Sequence, residues 1–93
     1  MRELLTELEK QYISNSIFKP MENYVNKITL FGTTDRALIM LNSSLGSIKF
    51  DRDNYQARFI KEIINDKLML MRLCVKHKDC EEVVSLDTSL TIK

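Results

Sequence analysis

Little in this chain can carry chemistry by itself. Its 93 residues include two glycines, one proline, two cysteines, one histidine and no tryptophan. Two glycines cannot build a glycine-rich phosphate cradle, and no Walker or dinucleotide fingerprint occurs. A nucleophile elbow is also missing. Two cysteines are too few for the disulfide framework of a small secreted domain. No apolar run approaches the roughly 20 residues of a membrane span. The opening MRELLTELEK is charged where a signal peptide needs an apolar stretch. An excess of either charge is lacking too. With 14 basic and 13 acidic residues the formal charge is +1, so attraction to nucleic acid or anionic lipid needs a local patch. These absences predict a reduced, cytoplasmic protein with no cofactor, no metal and no membrane contact. The abundance of Ile, Lys and Asn over Ala fits AT-rich coding, as in a low-GC bacterium or a phage, whose product would work in the host cytoplasm.

What is present points to a globule. The chain is 44% apolar and 29% charged, as ordinary soluble domains are, and its length predicts one domain over residues 1–93. Leu4, Leu5, Leu8, Tyr12 and Ile13 recur at three- and four-residue steps, so residues 2–16 read as an amphipathic helix. Pro20 disfavours helical geometry at Lys19 and should stop that helix by about Phe18, leaving 20–25 as at most a short helical turn. Residues 26–33 alternate like a strand, with a hairpin loop over 32–35. Residues 36–42 are apolar on both parities, as in a central strand. After a turn at 43–46, residues 47–51 alternate again. Asp53, with Gln56 three positions on, reads as a capping box; Phe59, Ile60, Ile63 and Ile64 then give the stripe of a second helix over 53–66.

Residues 67–76, KLMLMRLCVK, fit a strand buried on both faces. They also fit a continuation of that helix through Ile60, Ile64, Leu68, Met71 and Val75. Asn65-Asp66 favours a break, and hence the strand. Residues 83–92 alternate most cleanly of all. The expected fold is therefore α+β, in the order α-β-β-β-α-β-β. Short turns imply a mainly antiparallel five-stranded sheet in a two-layer domain, with the helices packed on one face.

Both cysteines and the histidine lie within LCVKHKDC, residues 73–80. Cys74, His77 and Cys80 are three ligands where a structural zinc site takes four, and Lys76 and Lys78 would repel a cation. A strand here would point Cys74 and His77 to opposite faces, and no C-x-x-C redox motif is present. The simpler reading is a hairpin turn over 76–79, with Cys74 a small core residue and His77 a solvated loop residue. Asp51, Asp53 and Glu62 match the first, third and last positions of a calcium loop, but Gln56 stands where that loop needs glycine. Arg72 interrupts an apolar run. It calls for a carboxylate, from Glu81 or Glu82 on the next strand, or else for a partner.

Two functions follow as expectations. The first is a small non-enzymatic binding module that acts by contact with a protein partner or a second copy, as small regulators and phage-encoded inhibitors of host proteins do. An exposed apolar patch would be its mark. The second is a module that binds single-stranded RNA or DNA. Five strands with a helix between the third and fourth, over residues 26–92, are similar in element order to an OB-fold. That resemblance implies binding on strands 2–3 and on the loops at 32–35 and 76–80. Phosphate contacts would come from Arg36, Lys49, Lys76 and Lys78, and stacking from Phe31 or Phe50. The candidate binding residues are thus Arg36, Lys49, Arg72, Lys76 and Lys78, with no catalytic, cofactor or metal residue among them.

Overall fold

In the computed structural model, which describes residues 2–28, 32–65 and 68–91, the first helix begins at Thr6 rather than at Arg2. The Thr6 hydroxyl accepts from Glu9 N–H at 3.2 Å, and the Glu9 carboxylate accepts from Thr6 N–H at 2.9 Å. This capping box satisfies two donors that a helix start would otherwise leave open. The residues ahead of it are engaged elsewhere. Arg2 N–H donates to Asp79 O, Glu81 N–H donates to Arg2 O, and Glu82 N–H donates to Glu3 O. A backbone paired this way cannot also be helical. Arg2 instead forms a parallel bridge with Cys80.

From Thr6 the chain runs as one helical body through α1 (Glu7–Ile13), a π-helical turn (Ser14–Phe18) and α2 (Lys19–Lys27). Pro20 therefore does not end the helix. In a regular α-turn the proline ring meets the carbonyl four residues earlier and leaves it without a donor. Here the preceding turn is widened, with Lys19 N–H donating to Ser14 O five residues back, which is a known way for a helix to absorb such a residue. The widening has a second effect. Ile13, Ile17, Met21 and Val25 are all buried at intervals of four. In an ideal helix each such step overshoots a full turn by about 40°. A π-turn takes back part of that drift and keeps the four side chains in line.

The second helical body is α3 (Thr34–Ser44), extended by a 3-10 turn (Leu45–Ser47). Gly32, just ahead of it, holds φ 92°, a conformation glycine adopts without strain. Thr33 caps the helix by accepting from Arg36 N–H at 3.2 Å. Ala37, Leu41, Ser44 and Leu45 form the buried stripe, whereas Ile39 is 66% exposed. The strands expected over 26–33, 36–42 and 47–51 are thus replaced by the end of α2, by α3 and by an irregular connector, with residues 29–31 outside the described set. An apolar run such as ALIML has no period of its own, and Ala, Leu and Met favour helix once a cap is present.

The helix expected over 53–66 is strand β1 (Tyr55–Ile63). Asp53 caps nothing. Asp51 instead organises a turn, accepting from Asp53 N–H and from the Asn54 amide, as Asx turns do. Tyr55, Ala57 and Phe59 then point inward at every second residue. Strand β2 (Leu68–His77) follows, as expected for 67–76, with Lys67 outside the described residues. Strand β3 (Val83–Thr91) matches the expected last strand, Ile92 lying outside them. The sheet is an antiparallel meander, β1-β2-β3. Among the described residues there are three strands rather than five, preceded by both helical bodies, which overturns the five-stranded sheet and the OB-like barrel.

All described helices lie on one face of this sheet. Their buried stripes meet Tyr55 and Phe59 of β1, Met69, Met71, Leu73 and Val75 of β2, and Leu90 of β3 in one core. No described helix is long and apolar enough to cross a membrane. Leu8, part of the expected apolar stripe, is 78% exposed, while Ile17 is wholly buried. Ile17→Ala should therefore lower unfolding free energy by about 2–5 kcal/mol, and Leu8→Ala should change it by no more than about 0.5 kcal/mol. Urea titrations of the two variants check this; equal losses would restore the stripe that includes Leu8.

Candidate functional site

Strand alternation fixes what the uncovered face of the sheet displays. The inward residues of β2 are 69, 71, 73, 75 and 77, so Leu68, Leu70, Arg72, Cys74 and Lys76 turn to the other side. The register sets their neighbours in rungs across the sheet. Gln56, Lys76 and Val83 form one rung, and Arg58, Cys74 and Ser85 the next. Ile60, Arg72 and Asp87 follow, then Glu62, Leu70 and Ser89. The result is an amphipathic plane, with Ile60 and Val83 exposed and Leu68, Leu70 and Cys74 half-buried.

Two shallow depressions mark this plane. The larger, about 550 Å³, is lined by Gln56, Ala57, Arg58, Cys74, Lys76 and Val83. Among the described residues two cations border it and no carboxylate does. The smaller, about 270 Å³, lies over Ile60, Lys61, Glu62, Leu70 and Arg72. Between them Arg72 is held by Asp87, its directly opposed residue, through two bonds of 2.8 and 3.2 Å. That fork, rather than Glu81 or Glu82, answers the need of Arg72. The hydrogen-bonded pairing raises the pKa of Arg72 and lowers that of Asp87. The free positive charge of the face is thus concentrated at Arg58 and Lys76.

The expected binding residues separate accordingly. Arg72 and Lys76 share the open face. Lys78 lies just past its end, in a turn anchored by Lys78 N–H donating to Asn54 O. Arg36 sits in the first turn of α3, and Lys49 in the connector after the 3-10 turn, so neither joins them. Phe50 is half-buried beneath the Arg52 guanidinium, 4.1 Å from its ring centre, and Phe31 lies outside the described residues. Arg58 and Val83 complete the site. The alternation Tyr55, Ala57, Phe59 would have shown that Arg58 belongs to a strand.

The inward end of β2 carries a second polar group. His77 is only 8% exposed, so it is a core residue and not a solvated one. Cys80 is also buried, whereas Cys74 stands half-buried on the open face and not in the core. The three are therefore not gathered around one point. His77 Nδ1 accepts from Asp79 N–H at 3.0 Å, which leaves the proton of the neutral ring on Nε2. Nε2 lies 3.5 Å from Glu9 Oε2, and Tyr55 packs edge-on against the ring. Both ring nitrogens are thus occupied by protein partners. Glu9 in turn takes two bonds from Arg2, 2.6 and 2.7 Å long. Burial raises the Tyr55 phenol pKa, and the Tyr12 hydroxyl accepts from Asp51 N–H at 2.6 Å.

Comparison with protein families, with characterised proteins and with solved structures finds no match for this chain.

The Arg2 fork, followed by the Thr6 N–H bond, lowers the Glu9 carboxyl from its ordinary 4.5 to about 2. A carboxyl depressed on folding stabilises the fold fully above its unfolded value, and that contribution disappears as pH falls through the folded one. The wild type should therefore lose stability between about pH 4.5 and about pH 2, and Glu9→Gln should flatten the decline while lowering stability at neutral pH. Urea midpoints across that range decide the matter; parallel curves would remove Glu9 from this role.

Proposed function

We propose that this protein is a non-enzymatic binding module that docks an extended, acidic segment of a protein partner on the open face of its sheet. One observation carries this reading. The larger depression joins two cations, Arg58 and Lys76, to an apolar floor at Cys74 and Val83, with no carboxylate on its rim among the described residues. An acidic segment would meet complementary charge there, which favours encounter and register, while its apolar side chains cover the exposed surface. The exposed apolar groups that a protein-binding module should present are present, Ile60 and Val83 on this face among them. The module acts by occupancy, as a small regulator or inhibitor does.

Single-stranded nucleic acid is the less favoured occupant. The described open face carries no aromatic side chain for base stacking, which supplies much of such affinity. The barrel that would have grouped Arg36 and Lys49 with Lys76 and Lys78 is absent.

The test is an NMR amide-shift titration with a short peptide of alternating valine and glutamate, beside the same peptide carrying lysine for glutamate and an oligothymidine. The acidic peptide should perturb residues 56–60, 72–76 and 83–85, and Arg58→Glu with Lys76→Glu should abolish the effect without unfolding the protein. Shifts centred instead on Tyr24, Ile39 and Met40, an exposed apolar group between α2 and α3, would overturn the assignment. So would a response to oligothymidine alone.

A further inference from the structure

The two edges of the sheet are treated differently. The outer edge of β1 is covered in part by the chain itself. Asn42 of α3 presents its amide to Phe59, accepting from the backbone N–H at 2.8 Å and donating to the carbonyl at 3.4 Å. Tyr55 N–H donates to Asp51 O, and the Lys61 amine pairs with Asp35. The Asn42 contact also fixes the phase of the ladder. The Phe59 backbone groups point away from β2, so those of Leu73, its opposite residue, bond toward β3, and those of Leu86 bond back. The backbone groups of Val83, Ser85, Asp87, Ser89 and Thr91 therefore point away from the sheet. Among the described residues none of them has a backbone partner beyond the sheet.

Open strand edges are normally blunted by lysine, proline, a bulge or a covering loop. Residues 83–91 contain no proline, glycine, lysine or arginine, and β3 pairs with β2 over its whole length without a bulge. Its single charge, Asp87, is already matched by Arg72.

We infer that two copies of this chain pair antiparallel through β3, centred on Thr88, to form one six-stranded sheet. The sequence is self-complementary in that register. Outward-facing residues oppose outward-facing residues, as ladder bonding requires: Asp87 meets the partner's Ser89, and Ser85 meets the partner's Thr91. Each Asp87 carboxylate, already forked to Arg72, keeps lone pairs free for that hydroxyl. On the helix side, half-buried Leu86 meets the partner's Leu90. The neighbouring register, centred on Asp87, would set two carboxylates face to face, which is unfavourable. The two-fold contact is isologous and closes on itself, and it leaves the open face of each copy free. This pairing is independent of what occupies that face.

Sedimentation velocity at rising concentration tests the pairing. The wild type should reach twice its 10.9 kDa mass. Ser89 is exposed and makes no side-chain bond among the described residues, so it accepts either charge without disturbing the fold. Ser89→Glu sets a carboxylate against the partner's Asp87 and should weaken the dimer about tenfold, whereas Ser89→Lys should tighten it. A wild type that stays monomeric at every concentration overturns the inference. So does a Ser89→Glu dimer as tight as the wild type, or equal weakening by both substitutions.

Discussion

The Glu9 carboxylate ties the start of the chain to the far end of β2. It closes the capping box at Thr6, receives the Arg2 guanidinium, and lies against His77 at the end of β2. Because Arg2 is also bridged to the turn after β2, the start of the helix is tied to the end of the sheet by both backbone and side chain. The direction of the first helical body across the sheet follows from this anchor. At one point the chain thus sets both where the helix begins and which strand it must cover.

The π-turn ahead of Pro20 then extends the consequence along the helix. Without it, a buried line at intervals of four would wind off the sheet. With it, residues from Ile13 to Val25 stay against the core, and α3 fills the remainder beside β1. The apolar stripes of both helical bodies are used up on one side of a three-stranded sheet. The other side is left with a mixed surface, on which apolar side chains stand beside Arg58 and Lys76, which is why the candidate site is there and not in a cleft between helices. The Asn42 amide has a similar reach. By engaging the Phe59 backbone at the edge of β1 it leaves β3 as the more open edge of the sheet.

Part of this was legible in the sequence. The alternation of residues 83–92 marked one strand, the break at Asn65-Asp66 favoured another over 67–76, and the turn between them followed. Arg72 called for a carboxylate on the next strand and found one, although the register supplied Asp87 in place of Glu81 or Glu82. Elsewhere local signals competed. Phe59, Ile60, Ile63 and Ile64 fit a helical period as well as a strand, and Asp53 with Gln56 imitates a capping box. The true box, Thr6 with Glu9, lay unnoticed inside a longer charged helix pattern. Pro20 read as a stop because a π-turn leaves no mark in sequence. His77 looked like a loop residue among lysines, yet it continues the inward parity of Met69, Met71, Leu73 and Val75. Arg58 was hidden by the same error that made β1 a helix, and with it half of the cationic site.

The central claim is that one face of the sheet is packed by helices and the other is open. The two cysteines report on it directly, since Cys74 faces outward and Cys80 is fully buried. Mass spectrometry after brief maleimide treatment of the native protein, with peptide mapping, is the most direct measurement. The account predicts a single adduct at Cys74, with Cys80 modified only after unfolding. Comparable labelling of both thiols, or preferential labelling of Cys80, would contradict it.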